Sequence, residues 1–299
     1  MSTPKLNILI VGCGYRGKRL AQRLIKEGHS VRGLTRSAEH AVALRKIGIA
    51  PHVGDVTKPE TLRGMGDGID AVYHLMGSMQ GTDEQLRALH VDGTRNVLAV
   101  LEGITLKRYV YESSTAVYGQ IDGEWIDESA PRDPASAMGK LRVQAENILL
   151  AAYREKELPL IILRPSSIYR PEGVVNKKIR EGTYVLSTDP AKVMNHIYVD
   201  DFIEIMAAAL TKGNAGDAYN VSDDEPKPAG DYMNLIAELM GAPAVRVDFQ
   251  SPAEGCADLL RKSNKRCSNA KLKADFGITL RFPTYREGLR ESARVGWRE

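Results

Sequence analysis

The segment Gly12-Cys13-Gly14-Tyr15-Arg16-Gly17 places three glycines at the spacing GxGxxG, directly after an apolar run of Leu6 and Ile8 to Val11. Each glycine in such a loop has its own task. The first allows a tight turn, the second lets the backbone approach a pyrophosphate, and the third lets a helix pack closely on a strand. The N–H groups that open the helix then face the phosphates. A bare tight turn would explain one glycine, but the strand–loop–helix frame accounts for all three. The chemistry implied is the binding of a dinucleotide.

The residues about twenty positions further on choose between the two nicotinamide dinucleotides. A site for NAD usually places Asp or Glu there, to accept from the ribose 2′-hydroxyl. Here the stretch reads Gly33-Leu34-Thr35-Arg36-Ser37, with no carboxylate. Arg36, with the hydroxyls of Thr35 and Ser37, suits a 2′-phosphate, and Arg16 is a further cation for it. The competing reading is a solvated loop arginine. NADP is therefore expected ahead of NAD. Asp55, in Val53-Gly54-Asp55-Val56, suits either the adenine amino group or a local turn, and the sequence leaves both open.

These residues need elements to hold them. Leu20, Ala21, Leu24 and Ile25 share a helical face that stops at Gly28. Strands are expected at 29–34, 49–53, 69–75, 108–111 and 160–163, and helices near 38–44, 83–101 and 137–155. Strands alternating with helices predict an α/β fold, a Rossmann doubly wound parallel sheet. Residues 1–164 are expected to form the dinucleotide-binding domain. Residues 165–299 are expected to form mostly a smaller C-terminal substrate lobe that partly returns to the sheet. A surface loop rich in Gly and Pro, 115–136, should lie over the strand ends.

Composition narrows the partners. The chain has 299 residues, 43% hydrophobic and 26% charged, with a net charge of +3 and no long basic run, so nothing calls for nucleic acid. Cys13, Cys256 and Cys267 are odd in number and form no CxxC pair, which argues against a disulfide framework or a cysteine zinc site. No apolar run is long enough for a membrane span. The expectation is a cytoplasmic protein with a small-molecule substrate, no metal and no membrane partner.

The chain also resembles the extended short-chain dehydrogenases/reductases of the epimerase/dehydratase type. The resemblance is carried by the glycine loop, Gly54-Asp55, His74-Leu75-Met76-Gly77, Gly93-Thr94-Arg95-Asn96 and Ser113-Ser114-Thr115-Ala116-Val117-Tyr118-Gly119. It continues through Leu163-Arg164-Pro165-Ser166-Ser167-Ile168-Tyr169 and His196-Ile197-Tyr198-Val199-Asp200-Asp201. It implies that Gly12, Gly14, Tyr15, Arg16, Gly17, Thr35, Arg36, Ser37, Asp55, Val56, Leu75, Met76, Gly77 and Lys140 line the cofactor. It further implies a Ser/Thr at Ser114 that positions the substrate oxygen and a lysine at Lys140 that holds the ribose. The family's tyrosine, four residues before that lysine, is absent, and Ser136 stands in its place. A serine hydroxyl is a far weaker acid than a phenol of pKa near 10.

Three readings follow from that departure. The first is an NADP-dependent oxidoreductase with Ser114, Ser136 and Lys140 as its catalytic set, acting on a small polar metabolite or nucleotide-linked sugar. Its proton would come from another group such as Tyr118 or Tyr169, or from water. The second is a non-catalytic sensor of NADP, and the third an epimerase or dehydratase with permanently bound cofactor. The resemblance also implies a homodimer built on helices 83–101 and 137–155. Lesser candidates are His74 as a packed residue, Ser78 facing the nicotinamide or closing a turn, and Asp200 capping a helix after His196. Lys177, Lys178 and Arg180 would serve as an anion contact or a solvated face.

Overall fold

Ile8, Leu9, Ile10 and Val11 are fully buried in β1 (Asn7–Val11), as a strand covered on both faces must be. The structure is a computed structural model that describes residues 4–77, 80–172, 174–248 and 263–297. β1 pairs in parallel with β2 (Ser30–Thr35) on one side and β4 (Ala71–His74) on the other, with Ile8 opposite both Val31 and Ala71. β3 (Ala50–Val53) extends one wing, and β5 (Arg108–Glu112) and β6 (Leu160–Pro165) extend the other, all in parallel. β7 (Ala218–Val221) closes the edge, giving the order β7-β6-β5-β4-β1-β2-β3. The chain winds outward from β1 and then restarts on its other side at β4. This reversal opens a crevice at the carboxyl ends of β1 and β4, where open α/β sheets bind ligands.

The helices follow from the pattern of apolar positions. α1 (Tyr15–Lys26) buries Leu20, Ala21 and Leu24, and Gly28 ends the turn after it at φ 92°. α2 (Ala38–Lys46) is capped by Ser37, whose Oγ accepts from the His40 N–H. The helix expected over 83–101 forms as α3 (Asp83–Arg87) and α4 (Gly93–Val100), joined by one wide turn at Ala88–Asp92. There the Thr94 hydroxyl donates to the His90 carbonyl at 2.7 Å, a side-chain bond that competes with regular helix bonding. Gly93 is pressed against Val56, whose Cγ2 would stand 2.8 Å from an added Cβ. α5 (Ala137–Lys156) is the longest helix described. Its Ala145 and Leu149 join Val72, Val97, Tyr109 and Ile162 in one buried cluster.

The described residues divide into two compact units that alternate along the chain. The first draws on Met1–Ser114, Ala137–Arg164 and Ile203–Tyr219, and the second on Thr115–Ser136, Pro165–Phe202 and Asn220–Glu299. In the second unit His196–Tyr198 pairs in parallel with Ser167–Tyr169. His196 stacks on Tyr232 with ring centres 3.8 Å apart, and Tyr169 meets both rings edge-on. Lys227 and Asp223 form a buried ion pair at 2.8 Å, with the ammonium 4.7 Å from the centre of the Tyr285 ring. Asp200 is not a cap, because it lies inside the first turn of the helix Val199–Ala208. Its neighbour Asp201 accepts from the backbone N–H groups of Arg281 and Phe282.

Candidate functional site

The three loop glycines meet three different surroundings. Gly12 has φ 97°, and an added Cβ would stand 2.7 Å from the Leu75 carbonyl oxygen, so the turn tolerates no side chain. At Gly17 an added Cβ would stand 2.6 Å from the Gly12 oxygen, which is the close strand–helix approach the motif requires. Gly14 has no atom within 4 Å of such a position. It is exposed at the start of α1, so a phosphate can reach its backbone. The loop is therefore a cradle with one open wall at Gly14, a shape that suits a pyrophosphate. Cys13 is half-buried with its thiol pushed up to about 12, mainly by burial. It fills the turn as a neutral group.

At the end of β2, Thr35 is buried, Ser37 caps α2 and Arg36 is exposed. Of the trio expected to meet a 2′-phosphate, Arg36 is the most exposed, and Ser37 is half-buried. Asp55 Oδ1 accepts from both the N–H and the hydroxyl of Thr57, at 2.9 and 2.8 Å. That is the local turn reading, and the Asn96 amide holds the same loop through the Val56 carbonyl at 2.8 Å. Leu75 and Val56 are buried, Met76 is half-buried and Gly77 exposed. Ser78 lies outside the described residues, as does Cys256.

Arg16 corrects the sequence reading. Its guanidinium forks onto Glu112 at the end of β5, Nη2 to Oε1 at 2.6 Å and Nε to Oε2 at 3.3 Å. It also lies beside Gly77, where an added Cβ would stand 2.8 Å from Nη2. β5 and β2 are three strand steps apart in the sheet, about 14 Å at the usual spacing. Arg16 therefore does not stand with Arg36.

The carboxyl ends of β5 and β6 are fixed by a buried polar network that the sequence reading missed. Arg164 donates to Glu146 through Nε at 3.0 Å and Nη2 at 2.8 Å, and Ser113 donates to the same carboxylate at 2.5 Å. Arg142 donates to the Glu112 carbonyl at 2.9 Å. Buried charges survive only when paired in this way. The usable signal was a glutamate and two arginines among positions otherwise patterned as core. The network holds Ser113, and Ser114 follows, half-buried, at the mouth of β5. Lys140 is exposed in the first turn of α5, and Ser136 is buried just before that helix.

Both tyrosines considered as proton donors are buried. The Tyr118 hydroxyl donates to Asn220 Oδ1 at 2.8 Å in a buried position. Burial drives the Tyr169 phenol far above its ordinary range. His74 is also no base. Its Nδ1 is bonded to the Tyr109 hydroxyl at 2.7 Å, and burial, with Arg142 and His90 nearby, pushes it down to about 3. Lys177, Lys178 and Arg180 are exposed on the helix Val174–Arg180.

With this geometry in view, the comparisons with known proteins are specific. The model of the NAD dependent epimerase/dehydratase family matches residues 8–222. The chain belongs to that family. It is 28% identical over 253 residues to a 4-hydroxy-2-methyl-3-oxo-4-farnesyl-3,4-dihydroquinoline-1-oxide ketoreductase of Stigmatella aurantiaca, covering 78% of this chain and 72% of that one. It is 30% identical over 246 residues to an N-acetyl-alpha-D-glucosaminyl-diphospho-ditrans,octacis-undecaprenol 4-epimerase of Escherichia coli O157:H7, covering 78% and 71%. A solved structure of a putative NAD-dependent epimerase/dehydratase from Methylobacillus flagellatus superposes with a TM-score of 0.74 at 31% identity, covering 98% and 99%. The expected α/β Rossmann sheet and the expected family are both borne out. Among the described residues no helix is long and apolar enough to cross a membrane.

Proposed function

We propose that this family member is an NADP-dependent oxidoreductase whose reaction centre works without a phenolic acid. The observation that carries the cofactor choice is Arg36, exposed at the end of β2 with no carboxylate beside it in the chain. The bound dinucleotide supplies or accepts a hydride at its nicotinamide. The protein's own groups then divide the remaining work. Backbone N–H groups at Gly14 and the start of α1 hold the pyrophosphate, while Arg36 meets the 2′-phosphate. Lys140 holds ribose hydroxyls, and Ser114, with Ser136 preceding α5, positions the oxygen of a small polar metabolite or nucleotide-linked sugar. With Tyr118 committed to Asn220 and Tyr169 raised by burial, the proton must travel through water or be unnecessary. Reduction of an iminium or an activated C=C bond fits that requirement.

Titration calorimetry of cofactor-stripped protein tests this reading. Arg36→Ala should weaken NADPH roughly tenfold, the loss of one charged hydrogen-bonded contact, and leave NADH within about twofold. Equal loss for both nucleotides rejects the phosphate role. The missing phenol also supports a second reading, a regulator whose dinucleotide occupancy sets a protein contact. Such a chain would bind NADPH yet consume none across carbonyl, imine and alkene substrates. A homodimer belongs to the same proposal. The faces of α4 and α5 border a cavity of about 660 Å³ lined by Leu98, Ile104, Leu106, Ile148 and Leu158, at the amino ends of β5 and β6. Sedimentation should show a dimer that Ile148→Lys dissociates.

A further inference from the structure

Among the described residues, the fork between Arg16 and Glu112 is a charged pair that stands against the glycine loop. Glu112 is nearly inaccessible, with 4% of its side chain exposed, whereas Arg16 keeps 30%. A buried carboxylate at a strand end is costly unless a cation answers it. Here the cation comes from the first turn of α1, the helix that opens directly after the glycine loop. One edge of the guanidinium, Nε and Nη2, is occupied by the carboxylate. The other edge, Nη1, donates to no group among the described residues. The Gly77 backbone lies directly alongside, so the pair occupies the β4–β5 side of the crevice, opposite the β2 side where Arg36 stands.

We propose that Arg16 and Glu112 together set how tightly the dinucleotide is held, through its pyrophosphate and nicotinamide half. The proposal rests on the dinucleotide-binding reading above. Arg16 presents its Nη1 edge to the dinucleotide phosphate, and Glu112 aims it there. The same carboxylate opposes the pull of the guanidinium by repelling the phosphate. The result is a cation held rigidly in place but with most of its charge cancelled. That arrangement suits a cofactor that must leave after every turnover, and it suits a permanently bound one poorly. It also separates two functions along the sheet. Arg36 decides which dinucleotide binds, and Arg16 with Glu112 decides how long either one stays.

The test is a set of affinities and dissociation rates, independent of turnover. NADPH, NADH and adenosine 2′-monophosphate are titrated into wild type, Glu112→Gln, Arg16→Met and the double variant Arg16→Met/Glu112→Leu. Displacement of bound NADPH is followed by its fluorescence. Glu112→Gln removes the opposing charge and keeps an acceptor for Arg16. It should tighten NADPH and NADH alike, by roughly five- to tenfold for one screened charge at this range, mainly through slower release. Arg16→Met strands the carboxylate and should weaken both dinucleotides at least about tenfold. The double variant should lie between these extremes. Adenosine 2′-monophosphate, which lacks both the pyrophosphate and the nicotinamide half, should bind all four proteins within about twofold of one another.

A merely structural pair could not make Glu112→Gln bind more tightly, so unchanged or weakened dinucleotide binding in that variant overturns the proposal. So does a change in the ratio of NADPH to NADH affinity, which would return Arg16 to the 2′-phosphate. Should Arg16→Met fail to fold, Glu112→Gln still decides. Wild type that binds neither dinucleotide would overturn the underlying reading and this proposal with it. Normal wild-type binding with insensitive variants would overturn this proposal alone.

Discussion

Arg164→Met should be among the most destabilising single substitutions in the first unit, although it removes no apolar surface. Arg164 is 4% exposed and Glu146 is fully buried, so their two hydrogen bonds, at 2.8 and 3.0 Å, form without water. Methionine matches much of the arginine stem but takes both of those hydrogen bonds and the countercharge away from the buried Glu146 carboxylate. Stranding a buried charge costs about 3–5 kcal/mol, a large share of the 5–15 kcal/mol that typically separates folded from unfolded chains. At roughly 2–4 °C per kcal/mol for larger domains, melting should fall by about 6–20 °C. The double variant Arg164→Met/Glu146→Leu removes both charges and should recover all but about 2 kcal/mol of the loss. Calorimetric melting of the three proteins decides the matter. A single variant within about 2 °C of wild type, a shift below 1 kcal/mol, would refute the reasoning, as would a double variant no better than the single.

Gly12→Ala and Gly14→Ala should fail differently. The first forces a Cβ against the Leu75 oxygen at positive φ and should cost about 2 kcal/mol or more of stability. The second meets open space, so stability should change by less than about 1 kcal/mol while calorimetry shows dinucleotide affinity falling sharply. For His74, whose folded pKa is pushed down to about 3, the unfolded chain binds the proton first. Its contribution is complete above pH ~6.5 and is lost as pH falls toward the folded value. Urea unfolding should therefore show His74→Gln flattening the acid limb by up to about 1.4 kcal/mol per pH unit, and an unaltered slope rejects the assignment. Lys227→Met should destabilise at pH 7 by about 3 kcal/mol. The penalty should shrink toward pH 5, because Asp223 is already pushed up to about 6 by burial and loses its charge there. A penalty that grows on acidification would contradict this.

The residues legible in the sequence are those whose signal is local. The glycine loop, Arg36 and the strand pattern of β1 to β6 depend on near neighbours and on periodicity, and they appear where the sequence places them. Lys140 likewise falls within an expected helix. What was hidden needs partners far along the chain. Arg16 reads as a loop cation until Glu112, 96 residues away, claims it. Glu146 and Arg164 drew no pairing from the sequence, because the partner that answers each charge lies 18 residues away. Asp55 stayed ambiguous because the turn it makes and the ligand it would meet call for the same carboxylate. The alternation of the two units was equally invisible, since 115–136 carries only loop signals and 203–219 carries ordinary helix and turn signals.

That alternation has a consequence for how the protein is made. The chain passes between the units five times, so no single cut yields two complete halves. On the ribosome, β6 is finished at Pro165, but its neighbour β7 begins only at Ala218. At about 5–20 residues per second, this leaves a sheet edge without its partner for roughly 3–10 s of synthesis. The edge carries Leu160, Ile161, Ile162 and Leu163, all apolar and all destined for full burial. An unpaired strand of that kind is a template for pairing with other chains. The nascent protein thus depends on translation reaching Val221 promptly, and a stall between residues 165 and 218 is where aggregation of newly made chains should concentrate.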